Sequence, residues 1–197
     1  MKIIKPITES EMIISFLSAE YASSRFAEGT QKALAMLGYS DDLIIQPNLK
    51  SHNENIKRAK ILGLTRGWPD KYLFTSFPKN TKWFMVSLEN NELCNSYRLK
   101  SDVKMTDKER KLENTARNII LGKTVSNIDA NLITQIKTRI ESGEELPPII
   151  LVAKTLHSKR VLVEGHSRSV AYCASKNNSK IYAILGLSEV IDQWEYF

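Results

Sequence analysis

Two short apolar runs, Ile149-Ile150-Leu151-Val152 and Val161-Leu162-Val163, flank the polar stretch at 154–159, and the second runs directly into Glu164-Gly165-His166-Ser167-Arg168. A run of β-branched and aliphatic residues with no polar alternation suits a strand buried on both faces, and these runs are too short for a buried helix. The segment Lys154 to Lys159 then reads as a turn, and Arg160 to Val163 as a second strand. Gly165 begins a sharp turn into a helix expected from Ser167 to about Lys176, and Ile181 to Leu185 reads as a third strand. Upstream, Leu132, Ile133, Ile136 and Ile140 mark one face of a helix over about Ala130 to Glu141, stopped by Gly143 and Pro147-Pro148. Helix, hairpin, helix and strand in this order imply an α+β core with a mixed sheet.

The first half reads mainly helical. Thr8-x-x-Glu11 has the capping-box pattern, followed by Met12, Ile13, Phe16, Leu17 and Tyr21 at helical spacing. A second helix spans Ala27 to Leu37 and stops at Gly38. Ser51-x-x-Glu54 opens another, running through Ile56, Ala59, Ile61 and Leu62 toward Gly67. In its first turns His52, Asn53, Glu54, Asn55 and Arg58 form a polar cluster whose expected role is capping. Arg66-Gly67-Trp68 suggests a tryptophan buried after the helix end. Trp83 to Leu88 has the aromatic and β-branched content of a strand, and Thr106-x-x-Glu109 starts a helix to about Leu121. Arg117 and Asn118 on that helix are expected to face solvent. The organisation expected is a mainly helical region over residues 1–122 and a core over 123–197.

Net charge is +6, and it is uneven. Residues 50–66 carry Lys50, Lys57, Arg58, Lys60 and Arg66 against Glu54, and residues 98–123 are also strongly basic. A basic excess favours phosphates, nucleic acid or acidic partners, although solvated helix faces have the same composition. No stretch approaches the roughly 20 apolar residues of a membrane span. Pro6, Glu9 and Glu11 interrupt the start of the chain in a way unlike a signal peptide. The two cysteines, Cys94 and Cys173, lack CxxC-type spacing, which argues against a disulfide framework or a cysteine-rich zinc site. A cytoplasmic protein without a membrane partner is expected. His52, His157 and His166 are far apart, so no protein-held metal site is expected.

The strand-to-helix turn carries the chemistry. The first N–H groups of a helix have no intrahelical acceptor, and the helix dipole adds partial positive charge there. Such an end accepts anions. Gly165 permits close backbone approach, Ser167 supplies a hydroxyl, and Arg168 can fork two donors onto phosphate oxygens. His166 can donate a hydrogen bond or move a proton, and Glu164 can take a proton from a hydroxyl. Gly165, His166, Ser167 and Arg168 are therefore the candidate phosphate-binding residues, and Glu164 and His166 the candidate catalytic ones.

Pro147 to Val152 followed by Val161 to Ala171 resembles the core of the ParB/sulfiredoxin-like superfamily, with Gly165, Arg168 and Ala171 on its anchor positions. The resemblance covers about residues 125 to 186. It implies a ParB/sulfiredoxin-like core in which the glycine turn and the arginine hold nucleotide phosphates and the alanine packs the helix on the sheet. Sulfiredoxins place a catalytic cysteine where His166 stands, so their activity is not implied. The Gly-His-polar-Arg form is closer to the free-serine-kinase branch. The expected ligand is ATP or another nucleotide, with magnesium carried on its phosphates, and the expected chemistry is nucleotide hydrolysis or phosphoryl transfer. Two alternatives stand beside it. One is a DNA- or RNA-binding protein or nuclease using the same turn and the basic helices. The other is a non-catalytic interaction module.

Overall fold

The computed structural model describes residues 1–100, 105–125, 128–175 and 180–197. The chain is α+β. Strand β1 (Lys2–Ile7) leads into helices α1 (Glu9–Tyr21), α2 (Ala27–Leu37), α3 (Asp42–Ile45) and α4 (His52–Arg66). Strand β2 (Lys82–Leu88) follows, then α5 (Asn90–Cys94), α6 (Asp107–Arg110), α7 (Leu112–Ile120) and α8 (Ala130–Glu141). The hairpin of β3 (Ile149–Ala153) and β4 (Arg160–Glu164) runs into α9 (His166–Ala174), and β5 (Ile181–Leu187) closes the sheet. The Thr8 capping box is formed, and Gly38 and Gly67 end their helices in the left-handed conformation, as the sequence patterns predict. Lys176, the expected end of α9, lies outside the described residues.

The five strands form one mixed sheet in the order β1-β2-β5-β3-β4. β3 runs parallel to β5 and the other neighbours are antiparallel. The sheet therefore draws β1 and β2 from the first 122 residues and its other three strands from the rest. Helices cover both faces. Ile150, Val152, Val161 and Val163 pack into a core with α1 to α4, while Ile149, Leu151, Ala153 and Leu162 pack into another with α7, α8 and α9. This explains the unbroken apolar run: every residue of β3 is buried, because alternate side chains enter two different cores. Each such aliphatic side chain contributes about 2 kcal/mol by leaving water.

Three local readings are corrected. Residues 2–7 form an edge strand, read in the sequence only as a segment ahead of the first helix. Its side chains are mostly exposed, so the period-2 signal of a half-buried strand is missing. The helix expected from 106 to 121 is broken at Lys111, whose extended backbone bridges Tyr97. The Arg98 N–H donates to the Arg110 carbonyl (2.8 Å) and the Leu112 N–H to the Ser96 carbonyl (3.0 Å), so pairing with the 96–98 segment replaces helical hydrogen bonds. Cys94 and Cys173 are disulfide-bonded, with Cα atoms 5.5 Å apart across 79 residues. Packing of α5 against α9 sets that meeting, which spacing along the chain does not encode, so the cysteine pattern carries no argument about compartment. Among the described residues no helix is long and apolar enough to cross a membrane.

The C-terminal aromatics dock on the fold itself. Trp194 is buried edge-on against Phe77, with ring centroids 5.2 Å apart, and its Nε1–H donates to the Leu73 carbonyl at 2.9 Å. Trp68 is half-buried with its ring edge-on to Phe74.

Candidate functional site

β4 ends at a bulge. Ile150 pairs with Glu164 and Leu151 with Leu162, so β4 carries one extra residue, Val163, immediately before the turn. Bulges bend a strand and re-aim the side chains beside them. Gly165 follows at φ +92°, a conformation costly for any residue with a Cβ. A Cβ there would also stand 2.7 Å from Ile149 Cγ2. The turn thus demands glycine twice, for its backbone angle and for its contact with β3. It delivers His166 as the first residue of α9, with Ser167 and Arg168 half-buried on the same turn. All five residues proposed from the sequence share this one turn.

Arg168 Nη2 donates to the Glu164 carboxylate (2.5 Å) and to the Pro148 carbonyl (3.4 Å). Its Nε is buried with no acceptor. Arg58 Nε is buried without an acceptor as well, so this donor by itself does not set the turn apart. His166 Nε2 accepts from the Leu99 N–H at 3.5 Å, which leaves the ring proton of the neutral imidazole on Nδ1.

The structure adds residues that the turn by itself does not reveal. The end of α1 contributes Glu20, only 2% exposed, and the end of α4 contributes Arg66, which is ion-paired to it. Arg66 lies close enough to Glu164 to favour its ionisation, and Glu164 acts on Glu20. Around His166 stand four arginines, Arg98, Arg66, Arg168 and Arg25. Burial first, then these four charges, hold His166 down to about 3 from an ordinary 6.5. At neutral pH it is therefore held uncharged, as a hydrogen-bonding group. Glu164 goes the other way. Burial raises its pKa, against the opposing pull of Arg168 and Arg66. Glu20 is raised by burial as well, with Arg66 opposing. Burial also disfavours the charge of Arg98. Among the described residues, four guanidiniums and two carboxylates thus act on this site beside a helix N-terminus.

One sequence signal for this extension existed. Met12, Phe16 and Glu20 are spaced four apart on the apolar stripe of α1, and an acid on a buried stripe is informative in a way that an exposed one is not. Arg25, Arg66 and Arg98 had no comparable mark. Beside the cluster, Phe26 lies under two guanidiniums, with Arg66 at 4.3 Å and Arg25 at 5.0 Å from its ring centroid.

The basic stretches are divided between buried arginines and exposed side chains, Lys50, Lys60, Lys108 and Lys123 among the latter. Arg58, Arg98 and Arg110 are buried within the fold. Arg110 Nε donates to the Arg98 carbonyl at 3.0 Å and its Nη2 to the Phe197 carbonyl at 2.8 Å. Arg117 faces solvent, paired with Glu113, as expected. Lys104 lies outside the described residues. The cluster of residues 52–58 is structural: Glu54 and Asn55 both bind Arg58. Among the described residues no group of three His, Cys, Asp or Glu side chains could hold a metal ion. No family model, no curated protein and no solved structure matches this chain, so the site's chemistry rests on its own residues.

Proposed function

We propose that the turn from Gly165 to Arg168 binds the phosphates of a nucleotide and that the protein hydrolyses it or transfers its terminal phosphoryl group. The observation that supports this reading is the convergence of four arginines around His166 on the first turn of α9. A preorganised positive site of this kind stabilises the charge that spreads over a transferring phosphoryl group. Arg168 supplies its unpartnered Nε–H, and the first-turn N–H groups of α9 supply backbone donors. Neutral His166 donates from Nδ1, without adding charge. Glu164, its pKa raised by burial, is the base: it takes the proton of an attacking hydroxyl or water as the new P–O bond forms and the bond to the leaving oxygen breaks. Magnesium enters on the nucleotide's own phosphates. The resemblance of about residues 125 to 186 to the ParB/sulfiredoxin-like superfamily, a core of that kind over residues 123–197 and a cytoplasmic location belong to this same proposal.

Calorimetric titration of ATP, CTP and GTP with magnesium into wild type and Arg168→Ala tests it. Saturable binding that Arg168→Ala abolishes in a folded protein supports the reading. No binding by any of the three sinks it and moves the weight to DNA or RNA, whose binding would weaken steeply with salt.

A further inference from the structure

A groove of about 400 Å³ lies between α2 and α4 and opens beside the arginine cluster, with Glu20 and Arg66 in its lining. Phe26, Ala33, Met36 and Leu64 give the lining its apolar part, beside Thr30, Lys32 and Thr65. Met36 is 78% exposed and Leu64 48% exposed, an unusual placing for two large apolar side chains facing one depression. Such a volume suits one small molecule, and a few polar groups in the lining would fix its orientation. Arg25, Arg66 and Lys32 against Glu20 make the lining positive. Arg66 and Arg25 both sit over the Phe26 ring and both act on His166, so the charged and apolar parts of the depression are continuous.

We propose that this groove seats the nucleoside end of the nucleotide whose phosphates the α9 turn holds. The inference rests on the phosphate-binding reading above. A flat base lies against Phe26 and the guanidinium planes, which stack on aromatic faces. The sugar passes Glu20 and Arg66, and the phosphates reach Arg168. Charge complementarity selects this occupant over a neutral peptide: the apolar stretch is short and ends in an excess of positive charge. The N-terminal helices, which no motif marked, thereby set which phosphate compounds bind.

Gly29 gives a clean test. It lies in the groove lining on α2, and a Cβ built on it meets nothing within 4 Å. Gly29→Trp fills the groove without a backbone clash, and replacing a helical glycine favours the helix. Gly29→Ala is the control, and Met36→Glu is a second block at an exposed position that the fold tolerates. The probes are inorganic tripolyphosphate and whichever of ATP, CTP and GTP binds wild type best, titrated into the full chain with magnesium, with thermal melting to establish folding. Wild type is expected to bind the nucleotide at least tenfold more tightly than tripolyphosphate. Gly29→Trp and Met36→Glu should bring the nucleotide down to the tripolyphosphate level and leave tripolyphosphate unchanged, while Gly29→Ala changes neither. Wild-type nucleotide affinity in both blocking variants, or an equal loss for both probes, overturns the groove while Arg168→Ala can still sustain the phosphate turn. If neither probe binds wild type, the phosphate-binding reading falls and the groove assignment with it.

Discussion

Two buried arginine sites in this protein have opposite character. Arg58, 0% exposed on α4, is closed: Nη1 donates to the Leu43 carbonyl and to Glu54, and Nη2 to the Asn48 carbonyl and to Asn55, at 2.6 to 3.1 Å. Every N–H of its two terminal nitrogens has an acceptor, and those acceptors come from the α3–α4 connection that it pins together. The cluster around His166 is open. Among the described residues arginines outnumber acids there, and since Nε is buried without an acceptor in Arg58 and Arg168 alike, the difference between the two sites lies in the charges around them. A guanidinium whose terminal nitrogens are all bonded to its own fold holds that fold in place, whereas one set among other cations is placed to take up an anion. The basic count along the chain rates both sites alike.

The largest expected effect tests the closed site. Arg58→Ala strands two backbone carbonyls and Glu54 without their donor and should cost about 4 kcal/mol in urea denaturation. Nucleotide binding per folded molecule should stay at the wild-type level. A loss below about 1 kcal/mol would erase the distinction drawn between the two arginines.

Gly165→Ala comes next. The positive φ and the contact with Ile149 together predict a loss of about 3 kcal/mol, this time with loss of nucleotide binding as well. Retention of binding would show that the turn geometry is not what presents the α9 N-terminus.

The third test uses pH. His166 has a depressed folded pKa, so the unfolded chain takes up its proton first. Its contribution is full above 6.5 and is lost as pH falls toward about 3. Between pH 6.5 and 5 this amounts to roughly 2 kcal/mol. Glu20 and Glu164, raised by burial, act in the opposite sense, since their stability contribution grows as pH falls through the acid range. The difference between wild type and His166→Gln isolates the histidine: the variant's stability should decline less over that window. Parallel curves would mean that His166 is not held neutral by its surroundings.

The smallest stability effect belongs to Arg168→Lys. It keeps the charge beside Glu164 and loses the planar fork, so stability should change by less than about 1 kcal/mol. Nucleotide affinity should nevertheless fall at least tenfold by calorimetry. A stability loss of the Arg58 kind would reclassify Arg168 as another closed, structural arginine.

Much of the molecule was legible in its residues. The capping boxes at Thr8 and Thr106, the stops at Gly38 and Gly67, and the unbroken apolar run of β3 are local signals, because each depends on neighbours within a few positions. So was the turn at Gly165, where a strand pattern meets a helical one. β1 was not legible, since an exposed edge strand has no alternation to read. The break at Lys111 was hidden as well, because pairing with a segment near Tyr97 overrode a good helical sequence.

What the sequence determined by itself was the α+β core and the existence of a glycine turn carrying Glu164, His166 and Arg168. Only the tertiary structure decided the company those residues keep. Glu20 and Arg66 come from the ends of α1 and α4, Arg25 from the connection after α1 and Arg98 from the segment after α5, and they act on His166 only because the fold brings these distant segments to one place. Charge and burial at a site depend on distances through space, and a sequence states only distances along the chain. The same reason joined Cys94 to Cys173 across 79 residues. It also made one arginine of a basic stretch a structural pin and another part of an open anion site.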